Sequence, residues 1–588
     1  MLAKPRRKVL AIRQSRRYNA KQEKPKRRDV DDMKLKVPVG RESFESIIKS
    51  GSYYVDKTEI LYELVHEEDN QIALFTRPRR FGKTLTLRMM ESFFDISRDS
   101  KSLFAGLNIT KHEDFCREWM NQYPVLFVSF KDVEGLRFES AYKLLKSCIA
   151  DLCKKYEYLG ESDLVNRADA DQFSRLMFMD GAQEDVQKSL LTLCRMMYAH
   201  YGKPVILLID EYDVPLAKAN EEKEGGERYY PQMLEIIRGI LSTALKSNDY
   251  LKFAVVTGCL RIAKESIFTG VNNFTSYSVL DEGFFQYFGF TQSEVDNLLD
   301  AADLKDKSDI FKEWYDGYLF GDSALYCPWD VVSYAAALLR KRTALPKNYW
   351  ANTSGNGIIR DFVKHQEFDV SDKFEALLNG GTITQMITEE LTYDSLHETE
   401  DNLWSVLLMT GYLTRSNTDE VGNTVSLKIP NVEISKVFES AVVRLFQEQL
   451  DKSRQRALMD AFWKGDAEAA TNLISGFLFD TISYHDYHED YYHAFLTGIF
   501  IGLGYGVKSN HEYGLGRTDI TLTDKKNRRA LVIEAKKSDQ ESGMLMDCDN
   551  ALRQIVQRKY ADSLKGYTHI ECYGIAFYQK SALVKKLN

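Results

Sequence analysis

The 588-residue chain is too long for one hydrophobic core and is expected to form about three or four domains. Its 44% hydrophobic and 28% charged residues are ordinary for a folded soluble protein, and a net charge of −8 does not favour one that coats nucleic acid with its whole surface. No run of about 18 apolar residues marks a membrane span, the basic start lacks the apolar stretch of a secretory signal, and the eight scattered cysteines form no zinc pattern, which points to a reducing, cytoplasmic setting.

Residues 1–32 hold twelve Lys/Arg against four acidic residues. Such a segment reads either as an arm for nucleic acid or a membrane surface, or as a disordered extension ahead of a start at Met33. The second reading is adopted, because ordered-looking sequence begins near Lys34. A helix is predicted over Lys57–His66 and a strand over Gln71–Thr76. The segment RPRRFGKT follows, then an amphipathic helix from Thr84 to about Phe94. Pro124–Phe130 reads as a buried strand, and residues 139–200 are helical in period. Pro204–Ile209 is a second buried strand running into DEYD, and Lys252–Thr257 is a third, behind a helix near Met233–Lys246. Apolar strands alternating with helices predict an α/β fold with a parallel sheet covered on both faces.

From about residue 290 the signals are helical, and the aromatic, glycine-bearing Phe311–Tyr326 reads as a packed loop or hinge. A helix at Leu403–Gly411, a hairpin around Val425–Pro430 and a helix at Glu433–Phe446 have the order of a small winged helix. A final α/β unit is read as a helix, three strands, a helix and a strand, ending with Glu571–Phe577. The expected division is a basic extension (1–32), a P-loop ATPase domain (33–290), a helical, winged-helix-like region (291–480) and a C-terminal α/β domain (481–588).

A phosphate-binding loop needs backbone N–H groups at a helix N-terminus, a lysine for the β- and γ-phosphates and a hydroxyl for Mg²⁺. Gly82, Lys83 and Thr84 supply these between a predicted strand and a predicted helix. The loop departs from GxxxxGK[ST], since Arg77 stands at the first glycine position, and Arg77, Arg79 and Arg80 are candidates for added charge near the phosphates. Asp210 and Glu211 end a buried strand, where open α/β sheets bind ligands. There an Asp can hold Mg²⁺ and a Glu can polarise the attacking water. Thr257 and Gly258 end the next strand, at a suitable place for a γ-phosphate sensor. The alternative is three ordinary strands with acidic ends in some other α/β fold; order and context favour the nucleotide site. For an arginine finger the candidates are Arg261 and the loop arginines, although an arginine in such a context is more often structural.

The segments TRPRRFGKT, LLIDEYDVPL, VVTGCLRIAKESIFTGVNNF, WYDGYLF and CPWD closely resemble the bacterial AAA-ATPase-like family commonly joined to a C-terminal PD-(D/E)xK nuclease-like domain. The resemblance runs from about Val37 to near the C-terminus and leaves out residues 1–32. It implies Lys83, Thr84, Asp210 and Glu211 as the residues for ATP and Mg²⁺, and makes Arg77 a normal feature of the loop.

In the last unit, Asp519 and the Glu534-Ala535-Lys536 run fall on neighbouring predicted strands. Alternate residues of a strand share a face, so Glu534 and Lys536 point the same way. Asp519 and Glu534 can hold Mg²⁺ while Lys536 orients or deprotonates water for attack on phosphorus. The other reading is that these charges face solvent on a commonplace strand. The pattern looks like the PD-(D/E)xK core with GRTD in place of the Pro-Asp pair, and Gly516 and Arg517 fit the turn. A further acid is sought in Glu512, ahead of Glu489, and the resemblance implies Gln554 and Tyr560 as site-lining residues. His485, His488 and His493 are read as a surface cluster and not a metal site.

The expected function is thus an ATP-dependent nuclease or nucleic-acid-processing enzyme, with DNA favoured as substrate and no membrane role. ATPases of this general class often assemble, so a homo-oligomer is within expectation. The alternative is a nucleotide-controlled switch whose C-terminal unit docks a partner without cleavage.

Overall fold

The computed structural model describes residues 35–67, 71–221, 226–262, 274–350, 371–378, 380–391, 393, 395–416, 424–449, 452–481, 489–500, 506–513, 516–564 and 566–587. The basic segment 1–32 and the histidines His485 and His488 lie outside them.

Strands β1 (Ile72–Thr76), β2 (Val125–Ser129), β3 (Val205–Asp210), β4 (Leu251–Gly258) and β6 (Phe274–Tyr277) form one parallel sheet in the order β2-β3-β4-β1-β6. The short β5 (Arg261–Ile262) leaves this sheet. Strand alternation divides the side chains between two cores. Ala73, Phe75, Val125, Phe127, Ile206, Leu208, Phe253 and Val255 pack on one face. Ile72, Leu74, Leu126, Val128, Val205, Leu207, Ile209, Ala254 and Val256 pack on the other. Burial on both faces is why these strands read as continuous apolar runs. The edge strand β6 was not predicted, because FTSY is mostly half-buried and carries no such run.

The helix Lys83–Phe94 follows the loop after β1 and stops where Asp95 turns extended. It is buried nearly all round, and its buried Glu91 is compensated by Arg88, Arg98 and Lys155.

Helices Gln292–Ala301, Ser308–Tyr315 and Pro328–Arg340 form the next layer. Phe311–Tyr326, expected as a loop or hinge, is instead the end of a helix followed by a hairpin, β7 (Tyr318–Phe320) with β8 (Ser323–Leu325). Gly317 enters the hairpin at φ +100, and a Cβ there would lie 2.1 Å from the carbonyl oxygen of Pro430. Both facts demand glycine.

Strands β9 (Ile383–Met386), β11 (Thr414–Arg415) and β12 (Thr424–Lys428) make an antiparallel sheet in the order β11-β12-β9, while β10 (Glu390–Leu391) pairs with β5. The helix Glu400–Met409 lies between β9 and β11 in the chain, and the helix Val432–Gln449 follows β12. The strand order suits the expected winged helix. Leu403 through Met409 are all buried, however, and join the core of the parallel sheet. The helix that would enter a groove in such a unit is a core element here.

Helices Lys452–Lys464 and Ala467–Thr481 share a core with the helix Glu489–Phe500 and the C-terminal sheet. That sheet runs β13 (Gly506–Tyr513), β14 (Gly516–Asp524), β15 (Arg529–Lys537), β16 (His569–Tyr578) and β17 (Ser581–Lys586) in sequential order. Only β15 and β16 are parallel, so the helix Met544–Gln557 forms the crossover between them. Strand β17 was not predicted. Among the described residues no helix is long and apolar enough to cross a membrane.

Candidate active sites

The loop between β1 and the helix Lys83–Phe94 turns through two left-handed residues, Arg80 at φ 73 and Gly82 at φ 86. This brings the helix N-terminus, with its unpaired N–H groups, over the carboxyl ends of the sheet strands. The Lys83 ammonium donates to the carbonyls of Arg77 (2.8 Å) and Pro78 (2.9 Å) and lies 3.6 Å from the Cys259 sulfur.

Asp210, fully buried at the end of β3, accepts three hydroxyl hydrogen bonds. Thr84 Oγ1 (3.0 Å) and Ser129 Oγ (3.1 Å) reach its Oδ2, and Thr257 Oγ1 (2.9 Å) reaches its Oδ1. Parallel register puts Ser129 beside Asp210 on adjacent strands. A hydroxyl on the loop helix facing a carboxylate held by two further hydroxyls is a hard oxygen donor set that suits Mg²⁺.

Glu211 follows in a left-handed conformation (φ 51) and lines the cavity in front of the loop. Burial pushes its carboxyl above the usual carboxylate range; Lys83 opposes that, while Asp210 and Asp213 add to it. A carboxylate raised in this way is a better acceptor of a proton from water.

The cavity, about 510 Å³, lies within the range of small-molecule sites. Arg79, Arg80, Lys83, Thr84, Thr86, Lys131, Glu211 and Lys218 are among its polar lining. Ile47, Tyr53, Tyr54, Phe290, Leu298 and Trp329 supply apolar and aromatic lining of the character a purine base requires. That lining joins segments far apart in sequence, and no local motif announces it.

Three expectations need correction. Arg77 is fully buried, and its guanidinium donates to the carbonyls of Thr76 (2.9 Å), Tyr277 (2.6 Å) and Ser278 (2.7 Å) between the rings of Phe288 and Phe320. It ties β1 to β6 and carries no charge into the cavity. Thr257 is fully buried and spends its hydroxyl on Asp210, so it orients that carboxylate and does not face a γ-phosphate. Arg261, a candidate finger, pairs with Glu390 at 2.9 Å where β5 meets β10. Arg80 does line the cavity, with its guanidinium 4.3 Å from the Trp329 ring centre.

Two residues were missed. Ser129 lies within the predicted strand Pro124–Phe130, but only pairing with β3 reveals its partner. Asp213, the second Asp of DEYD, accepts from the N–H groups of Cys259 (2.9 Å) and Leu260 (3.0 Å) and from the Tyr393 hydroxyl (3.2 Å). It fastens the chain as it leaves β4. A Cβ on Gly258 would lie 2.5 Å from the Tyr212 ring and 2.8 Å from Asp213, so glycine is required there as well.

In the C-terminal sheet, Ile520 pairs with Ile533 in antiparallel register, which sets Asp519 and Glu534 opposite each other one step on. Glu534 is fully buried, and Asp519 Oδ2 accepts from the Ala535 N–H at 2.8 Å. Lys536 Nζ is 3.9 Å from Glu534 Oε1, the same oxygen to which the Gln554 amide donates. Tyr560 is buried, with Gln554, Glu534 and Asp519 around it; its hydroxyl pKa is raised chiefly by burial. Asp519, Glu534, Lys536, Gln554 and Tyr560 therefore converge. Glu512 is in register with Arg517 on the neighbouring strand, while its side chain and those of Glu489 and His493 lie outside the described residues. Among the described residues no group of three or more His, Cys, Asp or Glu is placed to hold a metal ion. Two carboxylates still suit Mg²⁺, which keeps several waters and takes only one or two protein carboxylates.

Residues 38–268 match the model of a family described as predicted AAA-ATPase, and residues 487–587 match that of the PD-(D/E)XK nuclease superfamily. The chain is also 26% identical over 578 residues to a protein of Azotobacter chroococcum mcd 1 described as an uncharacterized protein in the vnfD 5' region; the match covers 93% of this chain and 98% of that one. An AAA-ATPase-like domain and a PD-(D/E)XK nuclease-like domain are thus joined on one chain, which supports ATPase and nuclease-like function in general terms.

Proposed function

We propose that this union of an AAA-ATPase-like and a nuclease-like domain hydrolyses ATP and uses the nucleotide cycle to govern Mg²⁺-dependent cleavage of nucleic acid, DNA above all, in the cytoplasm. The observation that carries the reading is that Lys83, Thr84 and Glu211 line one cavity, with buried Asp210 bonded to the Thr84 hydroxyl, together with the separate Asp519–Glu534–Lys536 cluster.

In the ATPase site, the N–H groups at the start of the helix Lys83–Phe94 receive phosphate oxygens, and Lys83 turns from the loop carbonyls to the β- and γ-phosphates. Thr84 and Asp210 would hold Mg²⁺, which supplies positive charge against the phosphates when bound. Ser129 and Thr257 keep Asp210 in place. Glu211 takes the proton of the attacking water. In the nuclease-like domain, Asp519 and Glu534 would hold Mg²⁺, Lys536 orients the attacking water, and Gln554 fixes the Glu534 carboxylate.

The test is cleavage of single- and double-stranded DNA and RNA with ATP, with ADP and without nucleotide, alongside ATP turnover. Asp519→Ala is expected to abolish cleavage and leave turnover intact; Lys83→Ala is expected to abolish turnover. Equal cleavage under all three nucleotide conditions would refute the coupling. Retention of turnover by Lys83→Ala would refute the site.

One observation favours a second reading. Glu534 is fully buried and its carboxylate is already engaged by Gln554 and near Lys536. A nucleotide-controlled switch, in which this domain docks a partner without cutting, accords with that packing. Intact ATP turnover with no cleavage of any substrate would select it.

A further inference from the structure

The ATPase reading leaves one function without a residue, a cation to meet the charge that develops on the γ-phosphate as it is transferred. Five arginines stand close enough in sequence or space to be considered. Arg41 lines the cavity but is exposed and donates to Ser50 Oγ at 2.7 Å. Arg77 is buried beneath the loop on the carbonyls of Thr76, Tyr277 and Ser278. Arg261 is held by Glu390. Arg80 is exposed and stacked on Trp329, against the apolar lining.

Arg79 differs from the other four. It lines the cavity with Lys83, Thr84 and Glu211 and is half-buried. Burial works against its charge, and the carboxylates of Asp213 and Glu211, just past the end of β3, favour it, with Cys259 and Tyr393 in the same neighbourhood. Cys259 is itself 3.6 Å from the Lys83 ammonium, so the two cations occupy the same end of the cavity. Among the described residues no ion pair within 4.0 Å occupies the Arg79 guanidinium. Its backbone is fixed from behind, because the indole N–H of buried Trp350 donates to the Arg79 carbonyl at 3.3 Å. The Trp350 amide in turn donates to Glu433 at 2.7 Å.

We propose that Arg79 is an arginine finger supplied by the phosphate loop of the same chain, contacting the γ-phosphate during transfer, so that each chain completes its own ATPase site without an arginine from a neighbouring copy. This rests on the ATPase reading above. A planar guanidinium on the loop can bridge two phosphate oxygens as a lysine cannot.

The experiment measures ATP turnover and ADP affinity for the full-length wild type, Arg79→Ala, Arg79→Lys and Lys83→Ala, alone and as a mixture of the Arg79→Ala and Lys83→Ala chains. Turnover is expected to fall about 100-fold or more in Arg79→Ala, with only partial recovery in Arg79→Lys. ADP affinity is expected to change less than threefold, because ADP lacks the γ-phosphate; this also reports an intact fold. The mixture is expected to stay inactive. Recovery of turnover in the mixture would show that the arginine crosses between copies, and turnover near wild type in Arg79→Ala would show that it is not the finger. Either result overturns the inference while leaving the ATPase reading standing. Absence of turnover in the wild type removes that reading and the inference with it.

Discussion

Asp210 shows how a short motif acquires its chemistry. Its position after a buried apolar strand is legible in the sequence, but its orientation depends on Thr84, Ser129 and Thr257, which come from three other segments. A buried carboxylate that loses one hydroxyl donor retains the cost of its own desolvation, about 1–3 kcal/mol per unsatisfied group. Ser129→Ala is therefore expected to raise the Mg²⁺ concentration for half-maximal ATPase activity severalfold, with little effect on metal-free nucleotide binding. A Mg²⁺ titration followed by turnover checks this; an unchanged midpoint would mean Ser129 does not position the carboxylate. Arg77 teaches the converse. Its place in RPRR suggested phosphate binding, yet its partners Tyr277 and Ser278 lie on and just beyond an edge strand that no local pattern revealed.

At the scale of elements, the helix Pro328–Arg340 and the helix Val432–Gln449 meet through two buried carboxyls, Asp330 and Glu433. Burial raises both pKa values. The Asp330 charge raises Glu433 further, while at Asp330 hydrogen bonds with Cys327 and Glu433, and then the Arg80 cation, oppose the rise. The native pair therefore keeps a proton that the unfolded chain releases above about pH 4. Where the native state binds more protons, stability falls as pH rises. The contribution of the pair is thus full below about pH 4 and is lost progressively as pH rises through the raised native values. Asp330→Asn is expected to flatten the loss of thermal stability between about pH 5 and 9, read from melting curves across that range. A parallel loss in wild type and variant would contradict the shared proton. The hairpin β7–β8 offers a backbone test. Gly317→Ala meets both a left-handed φ and the Pro430 carbonyl, and is expected to cost about 2 kcal/mol or more. Chemical denaturation measures that cost.

For the whole molecule, the cores set the units. The clusters on the parallel sheet take in the β7–β8 hairpin and residues from Phe374 to Phe438, the helices between Gln292 and Arg340 pack in a cluster of their own, and the residues from Leu458 onward belong to the core of the C-terminal sheet. The helix Val432–Gln449 packs on the helix Glu489–Phe500 and so links the two bodies. A chain of this kind is not expected to melt in one step. Nucleotide at 100 times its Kd adds about 2.7 kcal/mol to the body that binds it. ATP with Mg²⁺ is therefore expected to raise one calorimetric transition and leave the other in place. A single transition that shifts as a whole would show that the linking helices make the bodies one cooperative unit.

The amino-acid sequence by itself determined the parallel strands buried on both faces, the GKT turn into a helix, the acidic end of β3 and the alternation of Glu534 with Lys536. Each is written in a local period or a run of a few residues. The tertiary structure alone decided the edge strand β6, the burial of Arg77, the partnership of Ser129 with Asp210, the aromatic lining of the cavity and the burial of the Glu400–Met409 helix. These depend on contacts between segments tens to hundreds of residues apart, where solvent exclusion and hydrogen-bond satisfaction are settled by packing and leave no local pattern.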